Sequence, residues 1–363
     1  MTKVVILGSN FAGLDVALGL RKKDKSLEIV VIDKHNAQYY PSTHKVISGY
    51  RDIEDLEIDL QSVYTYHNIE FKKDTIISID TKKNLVIGKD GKYSYDYLVN
   101  TLGSVGNYYN IPGADKYSLP FKTSEDSSVI KEKIINLESK DKYSIVVAGS
   151  GLTGIESIFE LKTYLKNIAK NADLHIVEVM PTIAPWANPS TQIFLKKIMA
   201  RDKIIVHEGF QIGRVEKNKI ISKSNESIDF DILIWCAGLG VNSVIQNSDF
   251  EKDSKGMVVN TELRSTSHPN IFGCGDAVSI PSSPCPKTAQ FAVHQAPIVA
   301  HNVYAAINGK PLKTFKVYPA PALVSLGKHG SILVYKKLLF KHPRWLFDIC
   351  KGIIEWHWLK TRG

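Results

Sequence analysis

The chain has 363 residues, 44% of them hydrophobic and 23% charged, which is the composition of a globular protein with room for two domains. No apolar run approaches the roughly 20 residues that cross a bilayer, so the sequence predicts neither a transmembrane span nor a signal peptide. The four cysteines lack metal-ligand spacing and fit a reducing cytoplasm, and the net charge of +9 calls for an anionic partner.

The first unit opens with a strand, a glycine-rich turn and a helix. An apolar run over 4–7 leads into Gly8-Ser9-Asn10-Phe11-Ala12-Gly13, and a helix is predicted over 14–21. Such a turn offers backbone N–H groups and the positive end of a helix dipole to a diphosphate. Asn10 stands where the fingerprint has its second glycine, and we expect the turn to survive because asparagine tolerates positive φ.

The rest of the first unit supplies an acid and a second turn. Asp33 ends the next apolar strand, where a carboxylate accepts hydrogen bonds from a ribose diol. The unit closes with a buried strand that runs into Leu102-Gly103, which we expect beside the nucleotide. A linker at 111–113 then leads to a helix predicted over 125–137, whose charged face is solvated.

The second unit repeats this design. The apolar run 143–148 precedes Gly149-Ser150-Gly151-Leu152-Thr153-Gly154, an intact fingerprint, and Glu178 ends the following strand. A carboxylate there repels a 2′-phosphate, so this site is predicted to prefer NADH to NADPH. Ala237-Gly238 closes the unit in the same way as the first.

A further motif, Gly275-Asp276, follows a short apolar strand. An aspartate between small residues suits a hydrogen bond to a polyol, with backbone N–H groups on the diphosphate. The alternative is a surface turn whose aspartate caps a helix.

In this order, the motifs resemble those of the two-dinucleotide-domain flavoproteins, and the chain is most similar to the type II NADH dehydrogenases, which are single-subunit NADH:quinone oxidoreductases. The resemblance spans residues 4 to about 300. It implies an α/β fold with an FAD domain in two parts, 1–115 and 250–320, an inserted NAD domain at 116–249 and a membrane-association region at 321–363.

The resemblance also implies roles for individual residues. FAD would be held by Gly8, Asn10, Phe11, Ala12, Gly13, Asp33, Lys34, Leu102, Gly103, Gly275, Asp276 and Ala289. NADH would be held by Gly149, Gly151, Leu152, Thr153, Gly154, Glu178, Ala237 and Gly238. No metal is expected.

Four residues would act on the reaction itself. Glu156 matches a carboxylate that positions the nicotinamide or relays a proton, although a simple helix-terminus charge fits it as well. The stretch 286–295 resembles the helix start that the family places under the flavin and beside the quinone. Gln290, His294 or Gln295 would therefore meet a quinone, unless this helix only packs against the flavin.

The segment 336–363 carries three of the five tryptophans and seven basic residues against two acidic ones. Basic and aromatic side chains together predict an amphipathic anchor on an anionic membrane surface, which places a peripheral protein at the cytoplasmic face. Tryptophan among isoleucines argues against nucleic acid. The alternatives are a helix packed on the protein's own surface or at a homodimer interface.

Other branches of the superfamily fit less well. Disulfide reductases need a Cys-x4-Cys pair, and residues 36–49 contain no cysteine. A sulfide:quinone oxidoreductase needs two redox cysteines at the flavin and usually has a degraded NAD site, whereas the NAD fingerprint here is intact. Cys285 could approach the flavin, but Cys274 stands in the nucleotide motif, where a small buried filler is expected. A third hypothesis is an apoptosis-factor-like flavoprotein that binds NADH as a sensor with slow turnover.

Overall fold

Two parallel five-stranded sheets organise the chain in the computed structural model, which describes residues 1–362. The α-helices are α1 Phe11–Lys23, α2 His44–Ser48, α3 Leu60–Tyr66, α4 Ala114–Tyr117, α5 Ser124–Ile135, α6 Leu152–Asn167, α7 Pro189–Arg201, α8 Ser243–Gln246, α9 Ala289–Ile307 and α10 Arg344–Arg362.

The strands are β1 Lys3–Leu7, β2 Glu28–Asp33, β3 Ala37–Gln38, β4 Glu57–Ile58, β5 Glu70–Lys73, β6 Ile76–Asp80, β7 Leu85–Gly88, β8 Lys92–Ser94, β9 Tyr97–Asn100, β10 Ser104–Gly106, β11 Leu119–Pro120, β12 Tyr143–Ala148, β13 Ala172–Glu178, β14 Ile204–Glu208, β15 Ile212–Glu216, β16 Lys219–Ser222, β17 Ser227–Asp229, β18 Ile232–Trp235, β19 Leu239–Val241, β20 Lys252–Asp253, β21 Gly256–Val258, β22 Ile271–Gly273, β23 Val278–Ser279, β24 Ala322–Ser325, β25 Ser331–Tyr335 and β26 Leu338–Phe340.

Both large sheets have the same strand pattern. The first runs β22-β9-β1-β2-β5 and the second runs β11-β18-β12-β13-β14, with all neighbours parallel. The central strands are continuous apolar runs because both faces of a parallel sheet are covered. The predicted α/β fold with parallel sheets is therefore confirmed.

The chain leaves the first sheet and returns to it. Strand β22 pairs with β9 although the second sheet lies between them in sequence. In the second sheet, the edge strand β11 precedes β12 in sequence but pairs with β18, which comes much later. Helix α9 then packs against α1 so closely that a Cβ on Gly19 would lie 3.0 Å from the Cβ of Ala300.

Several element boundaries differ from the sequence predictions. Helix α1 begins at Phe11, three residues before the predicted start, because the glycine turn itself forms the first helical turn. Helix α5 begins at Ser124 because Thr123 and Asp126 form a reciprocal capping box.

The C-terminal region combines a sheet with a helix. Strands β24, β25 and β26 form an antiparallel sheet. Its buried side chains Val324 and Ile332, with Leu326 directly after β24, belong to the core of the second unit. Helix α10 follows this sheet. No helix within residues 1–362 is long and apolar enough to span a bilayer.

Candidate functional site

The first glycine turn is as tight as the fingerprint requires. Gly8 has φ +85°, and a Cβ there would lie 2.5 Å from the carbonyl oxygen of Thr101. A Cβ on Gly13 would lie 1.9 Å from the carbonyl oxygen of Gly8. Both positions therefore exclude any side chain, so that α1 can start directly against the end of β1.

The second turn has the same construction and adds open space. Gly149 has φ +98°, and a Cβ on Gly154 would lie 2.0 Å from the carbonyl oxygen of Gly149. A Cβ on Gly151 would have no atom within 4 Å. The turn thus leaves room above the N-terminus of α6, where Leu152 and Thr153 begin the helix.

Asn10 occupies the position in the first turn that corresponds to Gly151. Its φ is −105°, so the expectation that it adopts positive φ is wrong, and the turn needs no left-handed residue here. The side chain does not cap α1, and its Nδ2 and Oδ1 atoms are both buried without a partner. An unpaired buried polar group costs about 1–3 kcal/mol, so this amide fits a site whose ligand supplies the missing bonds.

The two strand-end acids are bound to their own turns in the same way. Asp33 accepts from the Ser9 backbone N–H at 2.5 Å, and Glu178 accepts from the Ser150 N–H at 3.0 Å. Burial raises the pKa of Asp33 although N–H donors oppose the shift. The neighbouring Lys34 is exposed.

The first unit's closing turn lies next to the Gly275-Asp276 motif. Asp276 accepts from the Ser104 hydroxyl at 2.9 Å, and Ser104 follows Leu102-Gly103 directly. The Lys122 ammonium donates to the same hydroxyl at 2.9 Å. These contacts unite two predicted cofactor segments that are about 170 residues apart in sequence, since their bonded side chains differ by 172 positions.

The closing turn of the second unit is enclosed by aromatic side chains. Gly238 has φ +76°, and a Cβ there would overlap the hydroxyl of Tyr109 at 2.0 Å. The Trp235 Nε1 donates to the carbonyl oxygen of Ala237 at 3.0 Å. The predicted Ala237-Gly238 turn is therefore fixed by aromatic residues on both sides.

The start of α9 separates the three predicted quinone residues. Thr288 caps the helix, and the half-buried Ala289 and Gln290 form its first turn. His294 is exposed, with its ring edge-on to Tyr318 at a centroid distance of 4.9 Å.

Gln295, by contrast, is buried. Its Oε1 accepts from the Gly275 N–H at 2.7 Å, and its Nε2 donates to the Cys285 sulfur at 3.4 Å. In this arrangement Gln295 ties α9 to the Gly275 turn. A cavity of about 600 Å³ beside it is lined by Asp276, Cys285 and Lys287, among others.

Glu156 is buried on α6 and makes contacts that the sequence did not predict. Its carboxylate forms an ion pair with Lys351 of α10 and accepts from the Ser325 N–H at 3.0 Å. His44 Nδ1 lies 3.6 Å away. Burial, with the Lys351 and Lys45 charges, holds the pKa of His44 well below its ordinary 6.5.

Helix α10 also carries a buried acid of its own, Glu355, which contacts the first unit. Glu355 accepts from the Arg51 Nε at 2.8 Å and from the Ser42 hydroxyl. One turn further on, Trp358 packs against Phe11 with the two rings tilted and a centroid distance of 4.6 Å. Helix α10 therefore joins the segment 40–51 and the first glycine turn to α6 of the second unit.

Sequence reasoning treated the tail as basic and apolar and missed Lys351, Glu355 and His44 as site residues. The spacing of Lys351, Glu355 and Trp358 puts them on one helical face, which was a usable signal. Their partners lie far away in sequence, so the sequence gave no signal for which residues they contact.

Helix α10 presents an apolar stripe on its opposite face. Trp345, Ile349, Ile353 and Trp356 are exposed by 64%, 49%, 58% and 60%. Leu338 and Phe340 on β26 are also exposed. A surface helix usually buries its apolar face, so an exposed apolar stripe opposite an inner face that carries Lys351, Glu355 and Trp358 is unusual.

Comparisons with known proteins agree with this geometry. Residues 2–296 match the family described as pyridine nucleotide-disulphide oxidoreductase. A type II NADH:quinone oxidoreductase of Staphylococcus aureus strain MSSA476 is 27% identical over 364 residues, covering 92% of this chain and 90% of that protein.

Two solved structures share the fold. One is a sulfide:quinone oxidoreductase of Aquifex aeolicus, with a TM-score of 0.86, 20% identity, and coverage of 100% of this chain and 91% of that one. The other is NDH2 from Plasmodium falciparum in complex with NADH, with a TM-score of 0.86, 17% identity, and coverage of 99% and 94%.

Proposed function

Since the chain belongs to the pyridine nucleotide-disulphide oxidoreductase family, we propose that it is an FAD-dependent NADH:quinone oxidoreductase that works at a membrane surface. One observation carries this proposal: each parallel sheet holds its own glycine turn, with a strand-end carboxylate bonded to that turn. Two such sites allow two dinucleotides to be bound at once, as a transfer from NADH to FAD requires.

We assign FAD to the first unit, residues 1–115 and 250–320, and NADH to the inserted unit, residues 116–249. The unpaired Asn10 amide and the N-terminus of α1 would hold the FAD diphosphate. Asp33 would accept from its ribose, and Asp276 from its polyol. When bound, FAD accepts a hydride and gives up two electrons.

The NADH site would use the open space at Gly151 for the diphosphate and Glu178 for the ribose. Glu178 is buried and already bonded to Ser150, so its carboxylate is held in place before the ligand arrives. A fixed carboxylate accepts from the ribose diol without reorganisation and repels a 2′-phosphate.

On the acceptor side, we propose that Gln290 and His294 face the quinone while Gln295 positions the start of α9. Gln295 is buried and its side chain is hydrogen-bonded to Gly275 and Cys285, whereas His294 is exposed. Glu156 belongs to the same proposal as a residue that places the nicotinamide or relays a proton.

The outward face of α10 is proposed to bind an anionic bilayer at the cytoplasmic face of the membrane. Exposed tryptophan and isoleucine side chains would enter the acyl boundary, and the basic residues of 336–363 would meet the headgroups. The buried ion pair of Lys351 and the half-buried pair of Glu355 with Arg51, both on the inner face, hold the helix in this orientation.

Sulfide oxidation is the weaker alternative despite the shared fold. It needs a pair of reactive thiolates, and all four cysteines are free within the described residues. Burial raises the pKa of Cys274 and of Cys285, which disfavours the thiolate form of both.

A stopped-flow experiment tests the function. We expect NADH to bleach the yellow flavin rapidly and a soluble quinone to restore it, whereas sulfide should bleach it slowly or not at all. A long-lived reduced complex that quinone does not reoxidise would instead support an NADH sensor. Bleaching by sulfide alone would support the alternative enzyme.

Membrane binding needs a test other than deleting the tail, because deletion would strip Glu156 of its buried partner Lys351. We expect the double variant Ile349→Asp/Ile353→Asp to lose sedimentation with anionic liposomes. The control Ile77→Asp/Ile135→Asp changes charge equally at two other exposed isoleucines and should still bind.

Salt separates the two parts of this interaction. Molar salt shortens the screening length to about 3 Å, so binding that survives it depends on apolar burial. If the wild-type chain fails to bind anionic liposomes at low salt, the proposal is wrong. A dimer in solution that the same double variant dissociates would then assign the face to a homodimer.

A further inference from the structure

The closing turns of the two units are joined by a short antiparallel ladder. Strand β10 follows Leu102-Gly103 and pairs with β19, which follows Ala237-Gly238. Ser104 at the start of β10 bonds Asp276, and Leu239 at the start of β19 lines the cavity that Asp276 also lines. The ladder therefore lies where the proposed FAD and NADH sites meet. The nicotinamide end of NADH has to reach this place, because a hydride moves only between rings in contact.

A tyrosine ring lies on the second of these turns. The Tyr109 hydroxyl occupies the space that a side chain at Gly238 would need, since a Cβ there would lie 2.0 Å from it. The same turn contacts the NADH fingerprint, because a Cβ on Gly149 would lie 2.9 Å from the Cα of Ala237. A ligand that approaches Gly238 from this side therefore has to displace the Tyr109 ring.

The segment that carries Tyr109 is anchored on both sides of the ring. Before the ring, the Asn107 carbonyl oxygen accepts from the Trp235 Nε1 at 2.8 Å. After it, the Pro112 carbonyl oxygen accepts from the Val215 N–H at 2.8 Å. Tyr109 itself is 58% exposed. A rotation of its side chain therefore breaks neither anchor.

The backbone is strained at the point where the ring is attached. Tyr109 and the next residue, Asn110, have φ of +52° and +53°, in the left-handed region. Asparagine adopts this conformation readily, whereas a bulky aromatic residue rarely does. Such conformations persist where the surrounding structure imposes them, and they cluster at ligand clamps and switch regions. Here the conformation places the Tyr109 ring against Gly238.

Two further apolar side chains are exposed on the ladder. They are Val105 of β10 and Leu239 of β19, and Val105 stands opposite Gly240, the residue after Leu239. Small-molecule sites are lined mainly by apolar and aromatic side chains, and a flat aromatic ligand ring packs well on them. The junction therefore offers the nicotinamide apolar surroundings that include the Tyr109 ring.

We propose that Tyr109 is a movable cover of the NADH site, whose ring leaves Gly238 as NADH enters and then packs against the nicotinamide. This inference rests on the proposed function. It gives Tyr109 a binding role, in which the aromatic ring makes the contact and the hydroxyl takes no part in the chemistry. A cover at this place holds the nicotinamide beside the flavin and keeps water out during hydride transfer.

Three variants of the flavin-loaded protein test the cover. Tyr109→Ala removes the ring, and Tyr109→Phe keeps the ring but removes the hydroxyl. Tyr66→Ala is the matched control, because Tyr66 is 84% exposed on α3 of the first unit. Since both tyrosines are exposed, all three variants should keep the melting temperature of the wild type.

Binding of NAD⁺ to the oxidised flavoprotein gives the first readout, because no hydride is transferred. Stopped-flow tryptophan fluorescence measures the association and dissociation rate constants, and Trp235, bonded to Ala237 in the turn, is the reporter. We expect Tyr109→Ala to raise both rate constants, dissociation more than association. The Kd should then rise by at least about fivefold, within the range of a lost aromatic contact. Tyr109→Phe should stay within about twofold of the wild type.

ADP-ribose gives the second readout, because it carries the diphosphate of NADH but no nicotinamide. Its Kd should stay within about twofold of the wild-type value in all three variants. Stopped-flow bleaching of the flavin at increasing NADH concentration gives the third, and the Kd for NADH should rise in Tyr109→Ala by the same factor as that for NAD⁺.

Other outcomes would contradict the cover. If Tyr109→Ala binds NAD⁺ with the wild-type rate constants, the cover is wrong, although the proposed function stands as long as NADH bleaches the flavin. Equal weakening of ADP-ribose and NAD⁺ also overturns it, because the ring would then act away from the nicotinamide. An equal loss in Tyr109→Phe would assign the effect to the hydroxyl and overturn it as well. A wild-type chain that neither binds NAD⁺ nor reacts with NADH overturns both proposals together.

Discussion

Two glycines in the second turn should respond to the same substitution in opposite ways. Gly151→Ala places a methyl group in open space above α6, at a φ of −60° that alanine adopts readily. Gly154→Ala places it 2.0 Å from the carbonyl oxygen of Gly149. The first change should affect the ligand and the second the fold.

The magnitudes follow from these distances. A carbon and an oxygen normally stay more than about 3 Å apart, so Gly154→Ala forces helix and strand apart and should cost about 3 kcal/mol or more. Gly151→Ala should leave the ligand-free protein unchanged or more stable by up to about 1 kcal/mol. The methyl group fills the diphosphate space, so the Kd for NADH should rise by at least about tenfold, or 1.4 kcal/mol.

The assay combines urea denaturation without NADH and titration of NADH under anaerobic conditions. Gly352→Ala is the control: a Cβ there also meets no atom within 4 Å, but Gly352 lies on α10 and not in the second glycine turn. Wild-type affinity for NADH in Gly151→Ala would refute the placement of the diphosphate. Wild-type stability in Gly154→Ala would refute the close approach of α6 to β12.

Three further predictions concern titratable side chains. Glu178→Gln should raise kcat/KM for NADPH relative to NADH, and an unchanged ratio would contradict its contact with the ribose. Lys351→Met should lower the free energy of unfolding by about 3–5 kcal/mol in urea, because Glu156 loses its buried counter-charge, while Lys351→Arg should lose less. The pKa of His44 lies well below 6.5 in the folded protein, so the unfolded chain takes up a proton there as the pH falls below 6.5. The free energy of unfolding of the wild type should therefore fall by up to about 1.4 kcal/mol per pH unit more steeply than that of His44→Gln. Parallel pH profiles of the two proteins would show that folding does not lower the pKa of His44.

The two glycine turns, the two acids after them and the order of the motifs could be predicted from sequence. Each depends on a short stretch of chain: Gly13 must lie against Gly8, and the acid must end the next strand. Parallel strands then bring these ends to one edge of a sheet. Such local requirements leave a pattern that a single sequence displays.

The tertiary structure decided which polar side chains meet. Glu156 and Lys351 are 195 positions apart, and Ser325 lies 165 positions from Glu160. Nothing local marks such pairs, because their geometry depends on how α10 and β24 pack against α6. The same packing turned the face of α10 that carries Lys351, Glu355 and Trp358 inward and left Ile349 and Ile353 exposed, an orientation that an amphipathic sequence alone does not specify.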